Sequence, residues 1–225
     1  MQKARILEGI KKARESSEKR KFTQMFDLIF NLKDMDLKRE ADKINTFLTL
    51  PHTLGKRVRI GALVGEELST KAKSVCDAVV VQDQFKKLDK KAIKKLAEQM
   101  DFFIGQADIM PQIAGAFGKI LGPRGKIPNP KAGCIIPPTA DPKAIVERLQ
   151  KVVKAETKNE LTIKLRVGSE KMSDDELADN ILACYNGILA ALPQEKNNLK
   201  SMILKLTMGK PVHIEEKIAV VGEVK

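Results

Sequence analysis

Two short groups of side chains, near opposite ends of a 225-residue chain, have the types and spacing to grip a nucleic acid. Towards the C-terminus, Ser201, Lys205 and Thr207 share one parity of an alternating stretch, and Met208 and Gly209 follow. Hydroxyls and a cation spaced along one strand edge can reach successive riboses or phosphates, and a glycine lets backbone approach backbone closely. Towards the N-terminus, Lys21, Phe22 and Thr23 set an aromatic ring beside a cation, a pair suited to stacking on a sugar or base. Each group also has a plainer explanation. The first is equally an ordinary solvent face of a sheet, and the second a strand-entry phenylalanine closing a core.

Two further stretches invite an anion. Lys119–Gly133, KILGPRGKIPNPKAG, mixes glycines, prolines and basic residues, so it must be a turn-rich loop. It reads either as a connector that needs tight turns or as a backbone-lined anion cradle with Arg124, Lys126 and Lys131 near phosphates. The run Lys86, Lys87, Lys90, Lys91, Lys94 and Lys95 reads either as a solvated helix face or as a polyanion site.

The search for catalysis is nearly empty. No GxGxxG follows a strand, Gly125-Lys126 lacks the P-loop spacing, and there is no HExxH or GxSxG. The two histidines, His52 and His213, stand alone. Asp101 and Asp108 flank an apolar strand, where a strand entry and a helix cap explain them better than paired acid–base chemistry does. Cys76, Cys134 and Cys184 are too far apart for a disulfide framework or a metal-ligand pair, which fits a reducing cytoplasm. The expectation is a non-enzyme with no cofactor and no metal.

Composition agrees with a folded, polyanion-binding protein. Hydrophobic residues make up 43% and charged residues 31%, which excludes wholesale disorder. The formal charge is +12, favouring nucleic acid or an anionic surface. No apolar run is long enough to span a bilayer, and the charged start MQKARILEGIKKARE lacks a signal-peptide core.

The elements that must position these side chains fall into two patterns. Ile6, Leu7, Ile10 and Ala13 give an amphipathic helix over Ala4–Ser17, and from Phe22 onward Phe26, Leu28, Phe30 and Leu32 alternate as a half-buried strand. Ile44–Leu50 is a second strand, ended by Pro51. The middle changes character. VRIGALV (58–64), AVVV (78–81), FFI (102–104) and CII (134–136) are short apolar runs, separated by helical patterns at 66–75, 84–100, 108–121 and 142–152. Strands alternating with helices predict a parallel sheet with right-handed crossovers. Alternation then returns at Leu161–Val167 and Ser201–Met208, around a helix opened by the Ser173/Glu176 capping box, with a last strand at Val212–Glu215. The fold class is therefore α/β in two domains. Residues 1–51 and 153–225 form an α/β sandwich from both chain ends, and 52–152 an inserted Rossmann-like domain. Two chain crossings, near Leu50–Lys56 and Lys151–Glu156, would permit hinge motion.

The order of the motifs resembles a known family over most of the chain. KFT (21–23), LPHTLGK (50–56), LGPRGKIPNPKAG (121–133), VGSEKM (167–172), DNI (179–181) and LTMGKP (206–211) are similar to the signatures of the large ribosomal subunit protein-one family, in archaeal style. The resemblance implies that the flanks hold rRNA through Lys21, Phe22, Thr23 and Asp27 and through Ser201, Thr207, Met208 and Gly209. Lys205 joins them from its place on the strand. It further implies a structural protein of the mobile stalk in the cytoplasmic large subunit, contacting other ribosomal components and exit-site tRNA, assisting release of deacylated tRNA, repressing its own mRNA, and monomeric when free. Two departures stand out: Lys210 intervenes before Pro211, and Thr53 stands where many relatives have glycine. The alternatives are a nucleotide- or phosphate-using enzyme with Arg124 and Lys126 as ligands, or a non-ribosomal assembly factor of the same fold.

Overall fold

A computed structural model describes residues 2–39, 42–85 and 87–214. The described residues separate into two compact units: those up to Lys56 together with those from Val153 onward, and Arg57–Val152.

In the first unit, helix α1 (Lys3–Glu15) leads to strand β1 (Met25–Leu32), whose residues are buried at every second position as the alternation requires. β1 lies between β8 (Thr162–Ser169) and β9 (Leu199–Leu206), antiparallel to both, and β10 (Val212–His213) extends the sheet beyond β9. The expected end of that last strand, Glu215, lies outside the described residues. One face of the sheet is covered by α1 and by α6 (Asp174–Ala191), giving a core around Phe26, Leu28, Phe30, Ile6, Ile10 and Ile181. The Ser173/Glu176 capping box opens α6 as expected. Arg14 ties α1 to that helix start: its guanidinium donates to the Glu170 and Met172 carbonyls, pairs with Asp174 at 2.9 Å and lies 5.2 Å from the centre of the Phe26 ring. Strand β2 (Asn45–Thr49) pairs instead with β7 (Val152–Glu156) in a separate two-stranded sheet. β7 corrects the expectation of a helix running to residue 152, because α5 stops at Leu149.

The second unit has a parallel sheet in the order β4-β3-β5-β6, from β3 (Ile60–Val64), β4 (Ala78–Val81), β5 (Phe102–Gln106) and β6 (Ile135–Ile136). All five residues of β3 are buried, as a central parallel strand demands. Leu63, Val80 and Phe103 pack with α3 (Lys90–Gln99) and α4 (Met110–Leu121), where Phe85 meets Phe117 edge-on at 5.1 Å. Helices α2 (Glu66–Val75) and α5 (Pro142–Leu149) pack together, α5 capped by the Asp141 carboxylate on the Lys143 amide. α3 is shorter than its 84–100 pattern: residues 82–84 form a separate 3₁₀ turn, and the helix opens only after Asp89, whose backbone is extended. Asp101 accepts from the Arg59 amide at a strand entry, whereas Asp108 does not cap α4.

Candidate nucleic-acid interface

The two groups singled out at opposite ends of the sequence meet at one end of adjacent strands. β1 and β9 run antiparallel with Phe26 opposite Leu206, so the segment entering β1 and the turn leaving β9 lie side by side. Hydrogen bonds fasten them. The Thr207 amide donates to the Met25 carbonyl at 3.0 Å, the Thr207 hydroxyl both accepts from the Met25 amide (3.1 Å) and donates to its carbonyl (3.2 Å), and the Met208 amide donates to Gln24 Oε1 (3.1 Å). The Thr207 proton is thus committed within the chain, leaving that oxygen as an acceptor.

Gln24 is a residue that sequence reasoning missed. It is 2% exposed, and its amide nitrogen donates to Ser17 Oγ and to the Glu18 carbonyl while its oxygen holds Met208. One buried amide therefore fixes the loop after α1 and the turn after β9 to each other. A signal existed: Gln24 falls on the buried parity of Phe26, Leu28 and Phe30, where a polar side chain must have partners. Gly209 closes the turn, and a Cβ there would sit 3.1 Å from the Leu206 Cβ and 3.4 Å from that of Ser17.

On this frame the exposed apolar groups stand out. Phe22 is 51% and Met208 60% exposed, and they are the exposed large hydrophobic residues among those described. Lys21 and Thr23 beside Phe22 are also exposed. Asp27 lies on the sheet face away from the helices, opposite Arg166 of β8 and Lys205 of β9. Burial pushes its carboxyl above the ordinary aspartate range, against the opposing pull of those two cations. Ser201 is on the same face but six residues from Thr207 along the strand, about 20 Å. It accepts from Asn31 Nδ2 at 2.8 Å and keeps its own proton to donate. The structure thus brings Lys21, Phe22, Thr23, Thr207, Met208 and Gly209 to one end, sets Asp27 and Lys205 next to it, and leaves Ser201 at the far end.

The competing anion cradle is not built as one. Lys126 Nζ donates to the Ala97 and Met100 carbonyls at the end of α3, and Arg124 donates to the Lys94 carbonyl and pairs with Glu98 at 3.0 Å. These cations cap a helix C-terminus, where the macrodipole favours them. Gly125 and Gly133 adopt positive φ, and the Arg148 side chain lies over Gly133, bonded to its carbonyl. The loop is a turn-rich connector, and Arg124 and Lys126 are not available phosphate ligands. A groove of about 450 Å³ beside β7 and β8 offers no acid–base pair either. Its Glu156 is held by Lys154 and Lys158, and its Glu160 by Lys164 and Thr162. Burial holds the thiols protonated, pushing Cys184 up to about 12 and Cys76 up to about 11.

Residues 11–210 match the family described as "Ribosomal protein L1p/L10e family". The chain belongs to that family. It is 42% identical over 212 residues to the large ribosomal subunit protein uL1 of Nanoarchaeum equitans, covering 92% of this chain and 98% of the relative. It is also 39% identical over 218 residues to uL1 of Methanothermococcus thermolithotrophicus, covering 96% and 100%. Against uL1 of Methanobrevibacter smithii it is 40% identical over 213 residues, covering 93% and 98%.

Proposed function

We propose that this chain is a structural, non-enzymatic protein of the large ribosomal subunit that holds folded rRNA on the surface formed by Lys21, Phe22, Thr23, Asp27, Ser201, Lys205, Thr207, Met208 and Gly209. The observation that carries this reading is the exposure of Phe22 and Met208 on two segments that the chain fastens together. Large apolar side chains left in water on a braced frame suit stacking against riboses or bases. Beside them Thr207 offers an acceptor, and at the far end of the same strand face Ser201 offers a donor, to 2′-hydroxyls, the groups by which a protein tells RNA from DNA. Asp27 accepts from a 2′-hydroxyl or a base amino group, and Lys21 and Lys205 meet phosphates.

Family membership extends the reading to the mobile stalk of the cytoplasmic large subunit, with other ribosomal components as neighbours. There the protein assists departure of deacylated tRNA from the exit site, and off the ribosome, as a monomer, it represses its own mRNA by binding a mimic of the rRNA site. Specific recognition then falls to residues 1–51 with 153–225, and 52–152 is the hinged insert. Chemical footprinting of the purified protein on large-subunit rRNA tests the central claim. One compact protected site, lost with Met208→Ala, is expected, and uniform weak protection along the RNA would refute it.

A further inference from the structure

The lysine run on α3 has no task inside its own unit. Lys90, Lys91, Lys94 and Lys95 are exposed, and none has a salt-bridge partner among the described residues. Lys86 lies outside the described residues, and Lys87 is exposed just before the helix. The placement is unfavourable for the chain by itself. Lys90 and Lys91 occupy the first turn of α3, which contains no acidic residue, so two cations sit at the positive end of the helix dipole. Lys90 with Lys94, and Lys91 with Lys95, are like charges one turn apart. The acidic Glu98 is already neutralised by Arg124, leaving Asp89 as the remaining nearby carboxylate.

Beside this helix, α4 turns an equally unexplained face outward. Pro111, Ala114 and Gly115 are exposed, and a Cβ on Gly115 or Gly118 would meet nothing within 4 Å. Glycine weakens a helix interior relative to alanine, and no neighbour in the fold requires it at either position. α3 and α4 pack against each other, so a dense row of cations adjoins a helix whose exposed positions are Pro111, Ala114 and Gly115 with Gln112 and one further cation, Lys119. We infer that the outer face of α3 and α4 is a second RNA-docking surface, which takes the phosphodiester backbone of double-helical RNA without reading sequence.

The occupant follows from what the face presents. Lysine is a flexible, strongly hydrated point charge that meets phosphates without the bidentate geometry of base or peptide recognition. Phe85 and Phe117 are buried between the helices, and the exposed large hydrophobic residues among those described lie elsewhere, at Phe22 and Met208. The face therefore has no platform for stacking unpaired bases, no apolar group to enter a lipid surface, and no anchor of the kind that dominates protein interfaces. Its complement is a stiff, regularly charged polyanion that approaches closely at the open Gly115 and Gly118 positions of α4, beside the exposed Lys119. This docking does not depend on the specific rRNA site of the other unit.

The test compares the full chain with the variant K90Q/K91Q/K94Q/K95Q, using a mixed-sequence RNA duplex unrelated to rRNA across a salt series. The expected result is a loss of duplex affinity of about tenfold or more at low salt, with a log–log salt slope shallower by roughly 0.9 for each phosphate no longer neutralised. Gly118→Glu puts a negative side chain into open space on the same face. It should weaken duplex binding while the melting temperature stays the same or rises, an outcome that folding damage would not produce. An unchanged affinity and slope in the quadruple variant overturns the inference, as does equal competition by phosphatidylserine vesicles or polyglutamate. Phe22→Ala/Met208→Ala should leave duplex binding intact, so a failure of that variant on rRNA bears on the proposed function alone.

Discussion

Residues 52–152 carry 18 basic and 10 acidic side chains, a net +8, whereas the two flanks together carry 23 against 19, a net +4. Charge alone would put nucleic-acid binding on the insert. Shape and chemistry favour the flanks, where an exposed ring, an exposed thioether and a part-buried carboxylate sit on a frame fastened by hydrogen bonds through the buried Gln24 and through Thr207. The contrast is between two kinds of recognition. On the proposed reading, unpaired lysines on a helical layer attract any polyanion, while a few oriented groups at one end of a sheet select one folded shape.

The sharpest way to break this contrast is to remove the apolar pair. Phe22→Ala/Met208→Ala should cost about 2–3 kcal/mol of rRNA-fragment affinity, on the order of 100-fold, with thermal stability nearly unchanged because both side chains are exposed. Titration calorimetry beside a thermal melt measures both. Equal affinity would mean that the charged face does the binding.

Gln24→Ala should lose roughly 1–3 kcal/mol of stability and also weaken rRNA binding, although Gln24 is buried and touches no ligand. Hydrogen exchange at the Met208 amide should rise with it, since that amide loses its acceptor. A normal exchange rate at Met208 with weakened binding would show that Gln24 acts by another route.

Asp27 separates stability from recognition. Its folded-state pKa is raised, so the protonated form is favoured in the fold, and its contribution to stability is full below the unfolded-state pKa and lost as pH rises through the folded value. Asp27→Asn should therefore melt slightly higher than the parent at neutral pH, with the difference vanishing in acid, and bind rRNA several-fold more weakly. Denaturation midpoints over a pH series, set beside affinities, decide it. A variant that melts lower at neutral pH would mean that Arg166 and Lys205 outweigh burial.

The smallest effect is expected at Arg124. Arg124→Gln should lower stability by about 0.5 kcal/mol, as an exposed ion pair at a helix end allows, and leave RNA affinity unchanged. Equilibrium dialysis should detect no nucleotide binding in either protein. Binding that disappears with Arg124 would restore the anion-cradle reading.

Much of the fold was legible because its signals are local. The alternation of Phe26, Leu28, Phe30 and Leu32 specified β1, and the capping box fixed the start of α6. The strand β7 was not, because Val152 and Val153 follow α5 after only two residues and its partner β2 lies about a hundred positions earlier in the chain. The site was legible in part. Motif order pointed to both chain ends, but nothing near Thr207 says that its hydroxyl is spent on Met25, and nothing near Gln24 says that its amide reaches Met208. Those bonds span more than 180 positions, and only the packed sheet defines them.

Because β9 is the inner neighbour of β1, the edge on which Phe22 is displayed is completed by a strand synthesised long after it. A nascent copy halted before Leu199 has no Thr207 to latch Met25 and no Met208 to engage Gln24. On the proposed reading, unfinished copies are barred from rRNA by construction, so the grip on RNA doubles as a check that translation has passed Met208.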